Sequence, residues 1–454
     1  MKSRVIVAIL VLAMVHVVFA GGFLTNTNQS VQFIRMLSRF ASTDIDAVYF
    51  NPAGTTQFAD GLYVAFHSQI ISQGRTVTST FPYLNTSEYQ GDTFVPFFPD
   101  LYGLLKKDKF AVSFNFGPVA GGGTADFKKG LPSFAYDISL LPAMISGMGI
   151  PTTAYSADMA FKGSSIYYGA QINLAYQLHE MFSVSIGARY NLAKNTYQGS
   201  LGNVMINPNL PALGFDGSMI PASAFFTGMG DAATAAALAD QEVDAEQTGS
   251  AVTPIIGLNF KPSEKINIGL KYELNTKMEL EYATTKDLVA TPMFPDGQKQ
   301  RLDIPAILSG GIAFQAADPL MISVGGCYYF DKNADWEGAE DLIDNTWEIQ
   351  AGLQYALTEK VFISAGFQHT QSGATDDYQA DMNFELSADA IGAGARVLLT
   401  DDLALELGGL YTIYQPTDVD YSKTVAPGQS VPYNVKYDQT TWAVAFGLEY
   451  TLVK

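Results

Sequence analysis

The final segment of the chain alternates between large apolar residues and small or polar residues. Between 441 and 451, one parity carries Trp442, Val444, Phe446, Leu448 and Tyr450. A half-buried strand of a soluble protein keeps such alternation for about five or six residues, whereas about ten is the length that a tilted strand needs to cross a bilayer. The pattern therefore predicts a membrane-spanning strand with one face in hydrocarbon and the other in water.

The same alternation recurs along the chain and predicts fourteen strands. They lie near residues 62–72, 95–105, 110–117, 165–178, 182–194, 253–261, 265–282, 304–316, 320–331, 345–357, 361–370, 384–399, 403–415 and 436–453. An even number of strands suits a bacterial barrel. We therefore expect an all-β fold, a fourteen-stranded antiparallel transmembrane β-barrel spanning residues 61–454.

The connections between the predicted strands alternate between tight turns and long loops. Tight turns are predicted at residues 106–109, 179–180, 261–264, 317–319, 358–360 and 400–402. Short turns at one end and long loops at the other are typical of outer-membrane barrels. Residues 118–163 and 195–251 form the longest connections, which predicts two long extracellular loops with a functional role.

Both long loops are rich in apolar residues, although they are expected to face water. The candidate ligand contacts are Phe134, Leu141 and Met144 in the first loop and Phe225 and Phe226 in the second. One interpretation is that the two loops pack on each other as a cap. The other is an apolar groove for a hydrophobic ligand, in which methionine provides adaptable contacts.

The N-terminal region has two predicted parts. In residues 1–20, Lys2 and Arg4 precede an apolar stretch that ends at Ala20, which predicts a signal peptide and a mature chain starting at Gly21. Residues 21–60 are too many for a simple lead-in to the first strand, and 31–40 has apolar positions at helical spacing. Because a barrel of this size leaves a lumen unless it is filled, we expect an N-terminal hatch, or plug, inside it.

Composition narrows the possible functions. Only 16% of the residues are charged while 48% are hydrophobic, a lower charged fraction than is usual for a soluble protein. The net charge of -19 argues against nucleic acid as a partner, because both would be negatively charged. Cys327 is the one cysteine, so no internal disulfide can form. No metal-ligand spacing and no G-x-S-x-G motif is found, so we expect no metal, no cofactor and no enzymatic activity.

Three basic residues fall on the parity that faces the lumen: Arg189, Lys271 and Arg396. They could meet the carboxylate of a ligand. They could also pair with acidic residues of the same parity, namely Glu273, Glu348, Glu385, Glu406 and Glu449. Parity alone leaves both roles open.

Two short segments carry a family resemblance. The chain reads Gly21-Gly22-Phe23 after the predicted cleavage site and Asn51-Pro52-Ala53-Gly54 just before the first strand. These segments, in this architecture, resemble the FadL/TodX family of outer-membrane transporters. The resemblance implies a barrel plugged by an N-terminal hatch that passively carries long-chain fatty acids or aromatic hydrocarbons. It also implies hatch or gating roles for Gly21, Gly22, Phe23, Asn51, Pro52 and Ala53.

The resemblance further implies a route for the ligand. Outer loops capture it, a pocket beside the hatch receives it, and an opening in the wall near strand three releases it sideways. We expect Gly117-Pro118 to end a short third strand and create this opening, since proline removes a hydrogen-bond donor; an ordinary loop start is the alternative. In the family, basic lumen residues contact the fatty-acid carboxylate.

These observations give an expected function and expected partners. The resemblance implies uptake of long-chain fatty acids, with an aromatic-hydrocarbon transporter, a polar-solute porin or a structural surface barrel as alternatives. The partners would be a hydrophobic small molecule and the lipid of the bacterial outer membrane. A side opening requires a wall exposed to lipid, which favours a monomer.

Overall fold

Fourteen antiparallel strands close into a barrel in the computed structural model, which describes residues 30–289, 293–426 and 428–453. Each strand pairs with the next one along the chain, and the last pairs with the first. The strands are β1 Gly61–Ser79, β2 Glu88–Lys107, β3 Phe110–Phe127, β4 Tyr155–His179, β5 Phe182–Ile206, β6 Gln241–Ser263, β7 Ile266–Glu273, β8 Ile307–Ala317, β9 Leu320–Tyr329, β10 Trp347–Ala356, β11 Val361–Gln371, β12 Ala388–Leu398, β13 Leu403–Tyr414 and β14 Gln429–Val453. The predicted fold is confirmed.

Shorter elements lie at the end of the barrel that carries the long loops. A hairpin of Glu279–Leu288 and Lys299–Arg301 pairs with the upper part of β6, and Thr417–Ala426 pairs with the upper part of β14. The remaining short strands are Asn209–Leu210, Phe215–Asp216 and Ile220–Pro221. These additions lengthen the wall beyond the membrane-spanning part.

The helices are short. They are α1 Val31–Met36, α2 Ala47–Phe50, α3 Pro132–Ser139, α4 Leu141–Gly147, α5 Ala222–Gly228 and α6 Ala232–Ala237, with 3-10 turns at Pro52–Gln57, Pro211–Leu213, Asp331–Asn333 and Ala339–Leu342. In the described part of the chain, no helix has the length and apolar character needed to cross a membrane.

The outer surface of the barrel is apolar, as the alternation predicts. In β14, Trp442 and Phe446 are each 42% exposed, while the intervening Ala443 and Ala445 are buried. The same exposed apolar face continues around the wall, for example at Ile172, Ile186, Ile256, Leu270, Ile312, Ile349, Ile363 and Ile391. Such a surface is stable in hydrocarbon and costly in water, which is why this sequence forms a membrane barrel.

Several strands extend farther than the sequence predicted. β4 begins at Tyr155 and β5 ends at Ile206, so strand occupies part of both ranges expected to be loop. The prediction that β3 ends at Gly117-Pro118 is wrong, because β3 continues to Phe127. Above the hydrocarbon region neither face meets lipid, so the apolar alternation fades while the backbone pairing continues.

The N-terminal segment lies inside the barrel. Val31, Ile34 and Leu37 have no exposed surface, and α1 packs against β10 to β13 and β14. This confirms the predicted hatch in the lumen. The predicted signal peptide and Gly21, Gly22 and Phe23 lie outside the described residues.

Candidate functional site

The hatch has a small folded core of its own. Ser30 caps α1, because its hydroxyl accepts a hydrogen bond of 3.0 Å from the backbone N–H of Phe33. Arg39 donates to both carboxylate oxygens of Asp46, at 2.7 and 2.8 Å, and to Asp44 at 2.6 Å. Such a two-point pair fixes orientation as well as distance. These contacts hold the chain between α1 and α2 in one conformation.

The N-P-A-G element lies where the hatch meets the wall. The Asn51 amide donates to the backbone oxygen of Ser42 at 3.0 Å and to the Asn259 side chain of β6 at 2.8 Å. Pro52 begins the 3-10 turn, and Ala53 is fully buried. Asn51 therefore links two parts of the hatch to the barrel, a position compatible with the gating role that the resemblance implies.

One group of charges joins α1 to the wall. The Arg35 guanidinium donates to Glu406 on β13 at 2.7 Å and to Gln354 on β10 at 2.6 Å. Arg396 on β12 lies 3.3 Å from the same Glu406 and 2.9 Å from Glu449 on β14. Three neighbouring strands and the hatch thus share one network of opposite charges.

A second group of charges joins α2 to the opposite wall. Glu273 lies between Arg189, at 2.7 Å, and Lys271, at 2.6 Å. The Lys271 ammonium also donates to the backbone oxygen of Tyr49 at 3.0 Å, and both cations lie over the Tyr49 ring, 4.5 and 4.6 Å from its centroid. All three cations chosen from the sequence therefore face the lumen, pair with carboxylates and contact the hatch or its partners.

A belt of glycines on the lumen wall lets the hatch backbone lie directly on the strands. Its members are Gly269, Gly352, Gly366 and Gly392. A Cβ atom added at any of them would lie 1.9 to 2.4 Å from a carbonyl oxygen of Ile34, Met36 or Phe40. Since atoms do not approach that closely, only glycine allows this seat for the hatch.

The wall is interrupted between β2 and β3. The two strands pair where 101–107 of β2 meets 110–116 of β3, and again where Gly91 and Asp92 meet 126–127. Among the described residues, no pairing joins 93–100 of β2 to β3. We call this unpaired stretch the β2–β3 break.

Proline and glycine account for the β2–β3 break. Pro96 and Pro99 on β2 and Pro118 on β3 lack the N–H that a sheet ladder requires. Gly121 and Gly123 have φ angles of +84° and +92°, which L side chains rarely adopt, and β3 shifts register against β4 beside them. Pro118 was expected from the sequence to interrupt the wall; Pro96 and Pro99 were not, although proline within an apolar run indicates an interrupted strand.

Apolar side chains line most of the β2–β3 break on both sides, and the buried polar residues Thr93 and Asp100 lie at its two ends. Phe94 and Phe97 point outward and are 64% and 57% exposed. On the inner side, Phe98 packs in one cluster with Val31 and Ile34 of the hatch. The break therefore connects the lipid-facing surface with the start of α1 through an apolar environment.

The two long loops form both arrangements that the sequence left open, a cap in which they pack on each other and an apolar pocket. Leu141, Phe225 and Phe226 are buried together in a small core that joins the loops as a cap, with Met144 half-buried on α4. Phe134 instead lines a separate pocket. The other apolar residues of this outer pocket are Phe161, Leu201, Val243, Val289, Met293, Phe294 and Met382.

The outer pocket depends on elements that the sequence analysis did not predict. Val289, Met293 and Phe294 belong to the connection of the hairpin beyond β7, and Met382 lies between β11 and β12. Asp381 holds this last segment against α3 by accepting the N–H of Ser133 at 2.8 Å. Three separate connections and the outer parts of β4, β5 and β6 therefore form the pocket together.

The space under the hatch has the opposite character. A cavity of about 250 Å³ opens at the end with the short turns and is lined mainly by polar side chains. They include Ser38, Arg39, Ser42 and Asp44 of the hatch and Glu264, Asn267, Gln315 and Gln354 of the wall. A water-filled cavity is favourable there, whereas an apolar ligand would displace water from polar groups at a cost.

Comparison with solved structures supports the fold. A Pseudomonas aeruginosa FadL homologue superposes with a TM-score of 0.64 at 14% identity, covering 95% of this chain and 99% of that one. The toluene transporters TodX of P. putida and TbuX of Ralstonia pickettii each give 0.55, at 12% and 13% identity, covering 90% and 89% of this chain and 95% and 94% of theirs. No family model and no curated protein matches the sequence. The chain has the FadL/TodX fold: a hatch-plugged, fourteen-stranded barrel.

Proposed function

We propose that this protein is an outer-membrane channel for the passive uptake of hydrophobic compounds. The apolar outer pocket captures the compound, the hatch keeps the lumen closed to small polar solutes, and the β2–β3 break releases the compound sideways. The family resemblance and the solved structures of a FadL homologue and two toluene transporters support this class of function.

One observation carries the proposal: the wall is unpaired where its lining is apolar, while the space under the hatch is polar. Burial of apolar surface favours a hydrophobic compound by about 25 cal/mol per Å². A compound that moves past Phe98 to Phe97 stays among apolar side chains and keeps most of this favourable free energy. A path through the cavity beneath the hatch loses it, because Arg39 and Asp44 are solvated there.

Long-chain fatty acids are the proposed substrate, and monoaromatic hydrocarbons are the alternative. Arg189, Lys271 and Arg396 are already paired with carboxylates, so these cations do not distinguish the two substrates. Catalysis forms no part of the proposal, and the protein would act in the bacterial outer membrane as a monomer with its wall exposed to lipid.

A reversible disulfide across the lower edge of the β2–β3 break tests the side exit. A Cβ atom at Gly117 would lie 3.2 Å from the Cβ of Asp100, a few tenths of an ångström short of the roughly 3.5–4.5 Å found in disulfides, so a small widening would admit the bond. We expect the oxidised Asp100→Cys/Gly117→Cys variant to take up labelled oleate roughly tenfold more slowly than the reduced form, because the bond opposes widening by about 2 kcal/mol or more.

The reduced double variant is the matched control, since it differs from the oxidised form in the bond alone. Each single-cysteine variant, treated with the same oxidant, controls for thiol modification; Cys327 is buried and common to all of them. Equal uptake by the oxidised and reduced forms, with the disulfide verified by mass spectrometry, would rule out this exit.

A further inference from the structure

One residue of the hatch has a strained backbone. Among the described residues, four other than glycine have a positive φ angle: Leu37, Asp108, Asn203 and Glu337. The last three are polar and exposed, whereas Leu37 has no exposed surface. A positive φ brings the Cβ of an L residue against its own backbone, so a large buried side chain in this conformation requires a structural reason.

Leu37 is the central residue of a γ-turn that ends α1. Its φ and ψ angles are 59° and -34°, and the N–H of Ser38 donates to the Met36 oxygen at 2.7 Å, across Leu37. A γ-turn of this hand is rare and strained. The Met36 oxygen is also the atom that lies against Gly352 and Gly366 of the glycine belt. The strained turn is therefore held at the centre of the seat of the hatch.

The part of the hatch after Leu37 is fixed to the wall through its backbone. Wall side chains donate to three of its carbonyl oxygens, each at 3.0 Å: Asn267 to Ala41, Asn173 to Val48 and Lys271 to Tyr49. The bond between Asn51 and Asn259 adds a further link to β6. Residues 38–57 are therefore one anchored unit.

α1 is attached to the wall in a different way. Its carbonyl oxygens at Ile34 and Met36 lie against glycines of the belt. Its polar links run through two long side chains, those of Gln32, which donates to Glu449, and of Arg35. Long side chains have several rotatable bonds, so they restrain a helix less rigidly than hydrogen bonds to its backbone do. The strained turn thus separates a firmly anchored unit from a more loosely attached helix.

We propose that Leu37 is the hinge of the hatch: α1 swings away from its seat while residues 38–57 stay on the wall, and Leu37 relaxes to a negative φ. Strain at Leu37 raises the free energy of the closed state alone, so it favours opening. Val31 and Ile34 of α1 pack in one cluster with Phe98 at the β2–β3 break, so this movement uncovers the apolar path to the exit. The inference rests on the proposed function and specifies which part of the hatch opens.

Two substitutions at position 37 separate strain from packing. Leu37→Ala and Leu37→Gly both remove the buried side chain, but alanine is strained at a φ of 59° and glycine is not. We therefore expect α1 of the alanine variant to leave its seat about tenfold more often than α1 of the glycine variant, a ratio that corresponds to about 1.4 kcal/mol.

Two thiols report on the two parts of the hatch. Ala445 of β14 is buried in one cluster with Ile34, so a thiol introduced by Ala445→Cys is covered by α1. The native Cys327 is buried in another cluster, with Tyr49 of the anchored unit. The purified full-length protein is labelled with N-ethylmaleimide in detergent, and each site is read by mass spectrometry. The labelling rate should differ about tenfold between the two variants at position 445 and should not differ at Cys327.

The matched control is the same pair of substitutions at Ile34, which lies within α1. There the glycine variant should be labelled at position 445 at least as fast as the alanine variant, because glycine destabilises a helix. Folding of every variant is checked by heat-dependent mobility on gels.

Equal or faster labelling at position 445 in Leu37→Gly than in Leu37→Ala would show that the closed hatch is not strained at Leu37. A parallel difference at Cys327 would show that the hatch moves as one body. Either result would overturn the hinge. Labelling needs no ligand, so its outcome is independent of the uptake experiments that test the proposed function.

Discussion

At the scale of single residues, each of two buried carboxylates in the lumen neutralises two cations. Glu273 satisfies Arg189 and Lys271 together, and Glu406 satisfies Arg35 and Arg396 together. Removing one member of such a buried group would leave an uncompensated charge, at a cost of about 3–5 kcal/mol. These residues therefore hold the hatch in place.

The same logic applies to a buried acid in an outer loop. Asp331 is 1% exposed and accepts the N–H of Thr346 at 2.8 Å, and burial raises the pKa of its carboxyl from 3.8 to about 6. Because the folded loop favours the protonated acid, the loop is most stable below about pH 4 and loses up to about 3 kcal/mol as the pH rises to about 6.

Asp331→Asn should remove this pH dependence, since the amide is neutral throughout and can still accept the N–H of Thr346. Hydrogen exchange of the Thr346 amide, corrected for its intrinsic pH dependence, should then be slower than in the wild type at pH 7.5 and similar at pH 4. Asp335→Asn, at an exposed aspartate of the same loop, is the control. A variant with the wild-type pH profile would show that burial does not raise the pKa of Asp331 in the folded loop.

At the scale of elements, the glycine belt makes the seat of the hatch testable. In Gly366→Ala the new methyl group would lie 1.9 Å from the Met36 oxygen, so the hatch must move. Overpacking of this kind costs about 1–3 kcal/mol, which would raise the population of a displaced hatch about tenfold. We expect a corresponding rise in ion conductance across planar bilayers.

Gly409→Ala is the matched control, because the nearest atom to its added Cβ is the Ala443 oxygen at an ordinary 3.9 Å. It should conduct like the wild type. If Gly366→Ala folds, as judged by heat-dependent mobility on gels, and also conducts like the wild type, the glycine belt does not control the position of the hatch.

The elements also show what the sequence could predict. Alternation such as that from Trp442 to Tyr450 reports contact with lipid, so it located the membrane-spanning parts of the strands. It could not locate the upper part of β5, whose faces meet water and other loops. Alternation could not predict the outer pocket, because Met293 and Met382 come from connections that are far apart in the sequence.

The sequence predicted some residues of the candidate site and not others, for a related reason. Parity identified Arg189, Lys271 and Arg396 as inward cations but could not say which cations have carboxylate neighbours, since that depends on several strands at one level of the barrel. Pro96 and Pro99 lie within the strand predicted at 95–105, where they indicate an interruption that alternation alone does not reveal.

At the scale of the whole molecule, three features follow from one requirement. A channel for hydrophobic compounds needs a lumen closed to polar solutes, an apolar entrance and an apolar exit. In the proposed function, the hatch on its glycine belt would provide the first, the outer pocket the second and the β2–β3 break the third. A porin for polar solutes would need a continuous polar path through the lumen, where this barrel places Val31, Ile34 and Leu37 of the hatch.

Uptake by intact cells that lack their own transporter tests the central claim most directly. Labelled oleate, toluene and a small sugar are compared in cells that make this protein and in cells that do not, with assembly verified. The account predicts that oleate, toluene or both enter faster with the protein while the sugar does not. Faster entry of the sugar alone would identify a porin, and no change for any of the three would identify a structural barrel; either result would contradict the account.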